Sequence, residues 1–503
     1  MQPPVSSVVV PPRRAVSVAL CIAIAFLALA VAPAGGSTPS TPTAAPRTKL
    51  EWTRCGGENE CSKLAVPLDY DHLDNGRTMK VALLRVRATD PKKRIGSLLL
   101  NPGGPGAPGT QFARDFASVL PDKIRERFDV VGFDPRGSGK TSPVKCEDNL
   151  DGVFSADYSP DTPEERADLD NRLQQLAQSC EARSGDLLPY VSSESTVRDM
   201  DRIRQAVGDK KLTYVGYSYG TYLGTLYAKL FPTKVRALVL DGAIDPNLGA
   251  LEIGAEQAVG FEHSLDAFLA DCSQNRRCPF SNGGDAAGAF DRLAAQVDAQ
   301  PVPAGQGRTL SGGEFDLGVA QALYSGKEGY SRLEDALAAA ERGDGERLLA
   351  LSDEYTGRHQ DGSYDSSQPA FWAIGCRDGP AVGGPDAYQA AESQFRAAAP
   401  RVGVALLNAG LVCAYWPVPP VPSVAPVRID GTPPILVIGT TNDPATPLKW
   451  AQGLAGDISS GVLLTAEGTQ HTAFVTAFNQ CVDDHVVKYL VDLQPPPNDT
   501  KCN

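Results

Sequence analysis

The sequence places a serine between glycines, then an aspartate, then a histidine, in the order one kind of acyl transfer requires: Ser218, Asp443 and His471. A serine hydroxyl is a weak nucleophile until a base takes its proton, and the base works when an acid fixes its tautomer and orientation. Ser218 lies in Gly216-Tyr217-Ser218-Tyr219-Gly220. Apolar Leu212-Thr213-Tyr214-Val215 precedes it, and a helix-like stretch from Thr221 to Ala228 with small residues follows. The flanking glycines permit a strained strand-to-helix turn that presents the serine oxygen. A bare motif of this kind also arises by chance, and its setting between a buried strand and such a helix makes it specific.

Asp443 follows the apolar run Ile435–Ile438 and precedes Pro444-Ala445-Thr446-Pro447. Thr446 is expected to cap the next helix, with Pro447 at its first position. Asp241 and Asp245, after the earlier run Val235–Leu240, are rival acids, and chain order favours Asp443. His471 follows the last apolar run, with Ala473-Phe474-Val475 expected to begin the final helix. His72 precedes the sheet, His263 and His359 fall among the helical patterns described below, and His485 sits within the final helix pattern. The developing oxyanion also needs donors. Gly103-Gly104-Pro105-Gly106, after the run Ser97–Leu100, offers backbone N–H groups, with Gly104 as the first donor and Tyr219 as the second. The same four residues also suit a plain tight turn. No phosphate-binding or dinucleotide-binding glycine pattern accompanies them, and no cofactor is expected.

The elements that must position these groups are short apolar runs, each ending in turn residues: Ser97–Leu100, Phe128–Phe133, Leu212–Val215, Val235–Leu240, Ile435–Ile438 and Gly461–Leu464. Apolar on both faces and separated by helical patterns, they read as buried parallel strands, whose functional loops gather at the carboxyl ends. Between Leu240 and Ile435 the strand rhythm stops. Helical patterns take over at Glu256–Cys272, Ala286–Val297, Phe315–Tyr324, Ser331–Ala340 and Ala387–Ala398. The expected fold class is α/β: an α/β-hydrolase fold with a mostly parallel sheet and a large helical lid inserted between the strands preceding Asp245 and Asp443. The expected parts are a core in two pieces, 49–248 and 431–503, and a lid at 249–430, for which an independent helical domain is the alternative.

The chain has 503 residues, 42% hydrophobic and 21% charged, with a formal net charge of -13. That composition suits a large core, and the acidic balance argues against nucleic acid or anionic lipid as partner. Arg13 and Arg14, the apolar stretch Ala15–Val31 and Ala32-Pro33-Ala34 read as an export signal over 1–34, with an uncleaved anchor as the alternative. Residues 35–48, rich in Ser, Thr, Pro and Ala, read as a linker. Of 11 cysteines, Cys21 lies in the signal, and the other ten fall in neighbouring pairs: Cys55 and Cys61, Cys146 and Cys180, Cys272 and Cys278, Cys376 and Cys413, Cys481 and Cys502. An exported chain would let such pairs form disulfides, although spacing alone leaves the connectivity open. No Cys-x-x-Cys pair is present and the histidines are scattered, so no metal site is expected.

Asn101–Gly106, Phe133–Gly139, Gly216–Gly220 and Asn442–Pro447 together resemble the actinobacterial secreted tripeptidyl aminopeptidases, relatives of the proline iminopeptidases. The resemblance extends to Cys376-Arg377-Asp378 and Cys413-Ala414-Tyr415-Trp416. It departs at Pro102, where proline iminopeptidases carry a histidine, which speaks against single-proline specificity. The resemblance implies cleavage of peptide bonds near a free N-terminus through an acyl-enzyme, in the extracellular space or cell envelope, with peptide or protein N-termini as partners. A carboxylate should then meet the substrate ammonium, since burying that charge unpaired is costly. Asp378 is the first candidate, with Glu252 and Glu256 behind it; a structural or solvated carboxylate is the alternative for each. A secreted esterase or lipase would use the same triad, and a non-catalytic binding protein of this fold is a further alternative. The sequence leaves oligomeric state and lid motion open.

Overall fold

The computed structural model describes residues 50–379, 382–422 and 425–503, and the expected export signal and linker lie outside them. Seven strands precede the long helical stretch: β1 (Thr53–Arg54), β2 (Asn59–Pro67), β3 (Thr78–Val86), β4 (Gly96–Asn101), β5 (Phe128–Phe133), β6 (Leu212–Tyr217) and β7 (Val235–Asp241). Two short strands, β8 (Val302–Pro303) and β9 (Thr309–Leu310), pair within that stretch, and β10 (Ile435–Thr440), β11 (Gly461–Ala466) and β12 (Thr500–Cys502) follow it. Ten of these form one sheet in the order β1-β2-β3-β5-β4-β6-β7-β10-β11-β12. The pairs from β5 through β12 are parallel, and β1, β2 and β3 add an antiparallel edge.

Side chains alternate across a strand, so each buried strand must satisfy two apolar layers. Leu99, Val131, Tyr214, Leu238 and Val437 enter one layer. Their neighbours Leu98, Leu100, Val130, Val215, Val239, Leu436 and Ile438 enter the other. This two-sided demand explains why the six expected runs appear as strands. The antiparallel edge was not expected, because β2 buries Ser62, Leu64 and Val66 in alternation with exposed Lys63 and Ala65 and so lacks the continuous apolar run of the central strands.

The helices before the insertion are α1 (Gly109–Phe116), α2 (Asp122–Arg127), α3 (Asp151–Phe154), α4 (Pro163–Ser184), α5 (Ser193–Ala206) and α6 (Tyr219–Leu230). The insertion carries α7 (Ala250–Gln274), α8 (Ala286–Ala299), α9 (Gly312–Tyr324), α10 (Lys327–Glu341), α11 (Glu346–Thr356), α12 (Ser367–Asp378), α13 (Pro385–Ala398) and α14 (Gly403–Ala409). Two more, α15 (Leu448–Asp457) and α16 (Gln480–Asp492), complete the core. Phe261, Leu265 and Phe268 of α7 pack with Phe315, Leu323, Leu333 and Leu337 in a separate apolar cluster within the insertion. No helix of the described residues is long and apolar enough to cross a membrane.

Two local expectations are corrected. The final helix starts at Gln480, not at Ala473; Val475 (φ 66) and Phe478 (φ 52) take left-handed backbone that interrupts any right-handed helix, and the Ala473 and Phe474 N–H groups donate to the Asp241 carboxylate. Thr446 does not cap α15, whose N-cap is Pro447; its hydroxyl donates instead to Asp443 Oδ2 at 3.0 Å. The ten neighbouring cysteines form five disulfides, in the pairs that their spacing suggested.

The Asp134–Gly139 loop anchors the core. Arg136 is fully buried, forked onto Asp199 at 2.6 and 2.8 Å, and its remaining donors reach the carbonyls of Pro67 and Leu68. A buried charge is tolerable only with this completeness, and removing one partner of such a pair costs about 3–5 kcal/mol.

Candidate active site

The register of three neighbouring parallel strands brings distant residues to one sheet edge. Tyr217 on β6 pairs with Asp241 on β7, and Asp241 pairs with Ile438 on β10. Ser218 therefore emerges beside Asp241, to whose carbonyl its N–H donates at 2.8 Å. Its backbone sits at φ 53 and ψ -123, a region that L-residues avoid, at the turn into α6. The glycines make room for this turn: a Cβ on Gly103 would lie 2.6 Å from the Tyr217 carbonyl and 2.9 Å from Ser218 Cβ.

Asp443 and His471 meet at the same edge. His471 Nδ1 lies 2.9 Å from each carboxylate oxygen of Asp443. Asp443 is 3% exposed and also accepts the N–H groups of Ala445 and Thr446 at 2.9 Å. Thr446 Oγ1 touches both partners, at 3.0 Å from Asp443 Oδ2 and 3.3 Å from His471 Nδ1. Because an ionised carboxylate only accepts, His471 carries its proton on Nδ1, leaving Nε2 as acceptor. That Nε2 is buried and has no hydrogen-bond partner, and no hydrogen bond joins it to Ser218 Oγ. Burial presses the imidazole toward the neutral form, but the charge and hydrogen bond of Asp443 outweigh it and raise its pKa.

The peptide between Asp241 and Gly242 links the two groups. Asp241 O holds the Ser218 N–H, while a Cβ on Gly242 (φ +67) would lie 3.1 Å from His471 Cε1. Nucleophile and imidazole thus pack against one dipeptide, and only a residue without a side chain fits there. Sequence reading missed Gly242; a glycine directly after a strand's last acid was the available signal. The rival acids take other work. Asp241 is pushed up to about 6 by burial and collects the Ala473 and Phe474 N–H groups, while Asp245 accepts the N–H of Asn247. The insertion reaches His471 through Tyr324, whose carbonyl accepts the His471 N–H at 2.9 Å and whose ring meets the imidazole edge-on at 5.3 Å.

On the other side of Ser218, the Tyr219 N–H is the first of α6 and has no intrahelical acceptor. In the glycine loop, Gly103 N–H donates to Asn101 Oδ1 at 3.0 Å, whereas Gly104 (φ +106) spends no N–H on the protein among the described residues. The three carboxylates considered for a substrate ammonium all have internal partners. Asp378 accepts from the Ser193 N–H and the Tyr219 hydroxyl, Glu256 pairs with Lys449 and accepts from Trp450, and Glu252 caps its own helix at Gly249. A cavity of about 450 Å³ opens beside the end of α12, lined by Leu251, Cys376, Gly379, Tyr388 and Trp416, and the Trp416 indole N–H is buried without a partner. A second cavity of about 620 Å³ lies beside Asp443 and includes His263 and Asn442.

Among the described residues, Cys481, His485 and Cys502 are the one set with metal-ligand spacing, and its two sulfurs are joined to each other. A disulfide offers no thiolate, so this set does not fit a metal.

Comparison with known proteins agrees with this architecture. Residues 96–283 match a family described as alpha/beta hydrolase fold, and residues 399–502 match one described as TAP-like protein. The chain is 38% identical to serine protease Hip1 of Mycobacterium tuberculosis, over 90% of this chain and 91% of that protein. A second protein of that species, carboxylesterase B, is also 38% identical, covering 93% and 92%. Tripeptidyl aminopeptidase of Streptomyces lividans is 27% identical, covering 91% and 87%. A solved proline iminopeptidase from Mycobacterium smegmatis aligns at 15% identity and a TM-score of 0.39, over 86% of this chain and 99% of that one. On the strength of its near-full-length relatives, the chain belongs to the TAP-like family of α/β hydrolases.

Proposed function

We propose that the protein is an exported serine peptidase that cleaves near free N-termini through an acyl-enzyme. The observation that carries this reading is the His471 imidazole, fixed by Asp443 on one nitrogen and left with a buried, unpartnered acceptor on the other, against the dipeptide that holds Ser218. In this reading Ser218 Oγ attacks the substrate carbonyl as Nε2 takes its proton, and Asp443 stabilises the resulting imidazolium. The carbonyl oxygen becomes an oxyanion received by the N–H groups of Gly104 and Tyr219. The intermediate collapses, the peptide C–N bond breaks, and the imidazolium gives its proton to the departing amine. Water, deprotonated by the same nitrogen, then releases the acyl group and restores Ser218. The hydrogen bond between Ser218 and His471 forms with substrate present, as catalytic hydrogen bonds commonly do.

The helical insertion, taken as residues 249–430, serves as a lid, and the core is split as 49–248 and 431–503. The five disulfides and the N-terminal signal pattern support an extracellular or envelope location. The peptide substrate rests on the relatives called serine protease and tripeptidyl aminopeptidase. A second reading, ester hydrolysis, is favoured by the relative called carboxylesterase B. One experiment separates them: digestion of a peptide library with free and blocked N-termini beside short acyl esters, read by mass spectrometry, with Ser218→Ala as control. Cleavage of free-amine peptides that vanishes in the variant is the expected result. Ester turnover without amide cleavage would replace the peptidase reading, and a folded wild type that resists fluorophosphonate labelling would end both.

A further inference from the structure

Helix α12 touches both sides of the proposed oxyanion site. At its start, Ser366 Oγ accepts the N–H of Gly139 at 2.8 Å, tying the helix to the buried loop that carries Arg136. One turn on, Ala370 lies so close to the glycine loop that a Cβ on Gly106 (φ +86) would come within 2.6 Å of Ala370 Cβ. At its last residue, Asp378 Oδ2 accepts the Tyr219 hydroxyl at 2.6 Å, and the carboxylate accepts the Ser193 N–H at 2.8 and 3.1 Å. The Ser193 and Tyr219 hydroxyls are themselves 3.1 Å apart.

A carboxylate is poorly placed at the C-terminus of its own helix, where the partial charge is negative. Asp378 is compensated from outside. Ser193 is the first residue of α5, whose N–H lacks an intrahelical acceptor, and Tyr219 is the first residue of α6. The helix end is fastened by three further ties: the Cys376–Cys413 disulfide, the Arg377 guanidinium on the carbonyls of Pro189 and Pro419, and the Val421 N–H on the Arg377 carbonyl. Asp378 is half-buried, and both donors its carboxylate accepts from the protein come from helix starts, which is the arrangement of a positioning group.

We propose that α12 sets the spacing of the two oxyanion donors and that Asp378 is a positioning residue acting through Tyr219, not a binder of the substrate ammonium. This rests on the serine-hydrolase reading, in which the Tyr219 N–H is one donor. The Asp378–Tyr219 bond fixes the phenol of Tyr219, the phenol fixes the residue's backbone at the α6 start, and the N–H then points where the oxyanion forms. A donor displaced by a fraction of an ångström loses much of its value in the transition state while ground-state binding survives.

The test compares Asp378→Asn with wild type on two substrates: a peptide anilide with a free amine, and p-nitrophenyl acetate, which has no ammonium. The amide keeps an acceptor for Ser193 but loses the charge-assisted bond to Tyr219. Expected is a fall in kcat of about tenfold on both substrates, with KM within about twofold. Tyr219→Phe, which keeps the N–H and deletes only the hydroxyl, should give a similar fall, and the double variant should be no slower than either single one. Should Asp378→Asn not fold, Tyr219→Phe alone carries the kcat and KM readouts. A loss confined to the free-amine substrate and to KM would make Asp378 the ammonium site and overturn the proposal, as would additive losses in the double variant or an unchanged Asp378→Asn. A wild type that turns over neither substrate overturns the underlying hydrolase reading, whereas an active wild type with an unaffected variant overturns this proposal alone.

Discussion

His471 takes its side-chain partners from the one short segment that holds Asp443 and Thr446, whereas Tyr219 takes its own from two separate helices, with Ser193 26 residues away in the core and Asp378 159 residues away in the insertion. The acid–base half of the site draws its hydrogen-bonding side chains from the core, with the insertion adding the Tyr324 contact: a strand ends, a carboxylate is gripped by its own loop, and an imidazole from the next strand closes on it. The oxyanion half is organised across the boundary with the insertion, by a helix that core residues cannot replace. The contrast suggests that damage to the first half removes chemistry outright, while damage to the second detunes it. Perturbing each half separately can break that distinction.

The largest effect is expected for Asp443→Asn, which presents an amide to Nδ1 and disturbs the tautomer: kcat should fall by about 10⁴ with Tm nearly unchanged. Stopped-flow or burst kinetics would measure it, and a loss below tenfold would mean that Asp443 does not orient the base. Gly242→Ala follows, because a Cβ at φ +67 meets Thr472 at 2.9 Å and the His471 ring at 3.1 Å. A fall in kcat of about a hundredfold is expected from displacing the imidazole, and retained activity would deny the close packing of that dipeptide against the base.

The pH profile gives the next effect. The base acts when neutral and its pKa is raised, so activity is lost as pH falls through that raised value, with the acid limb above the ordinary histidine value of about 6.5 and roughly tenfold lost per unit below it. The same shift contributes stability that is fully present below the unfolded-state value and fades as pH rises through the folded one. Protonating His471 therefore does not unfold the protein, and circular dichroism should stay flat across the limb. A loss of signal at the inflection would assign it to unfolding instead. The smallest effect on rate is expected for Cys376→Ser with Cys413→Ser, which frees the end of α12: about 2–4 kcal/mol of stability and a severalfold fall in kcat. Removing the Cys55–Cys61 bridge, which closes a shorter loop at the far sheet edge, should cost less stability and leave kcat unchanged. Equal kcat losses from both would erase the contrast between the halves.

The same contrast governs how much could be read from residues alone. Six core strands and the placement of Ser218, Asp443 and His471 after them were legible, because each signal is contiguous: an apolar run two layers deep, then its turn. The pairing of cysteines was legible for the same reason of proximity. Asp378 was noticed as a carboxylate but given a different task, since its partners lie 159 and 185 residues away. The final helix was expected too early because Ala473-Phe474-Val475 is apolar, and nothing in those residue types reveals the left-handed backbone at Val475 and Phe478 or the Asp241 carboxylate beside them. Thr446 carries a residue type that caps helices, and only the arrival of His471 beside it shows that its hydroxyl faces Asp443 instead.

Tyr324 adds a consequence for engineering. Its carbonyl, at the close of an insertion helix, holds the main chain of the imidazole-bearing loop. Anyone grafting a relative's insertion onto this core to change selectivity would therefore exchange a backbone support of the base as well as a cover. Chimeras should be cut so that the α9 terminus and its carbonyl keep their native seat, or turnover will drop for reasons unrelated to the new specificity.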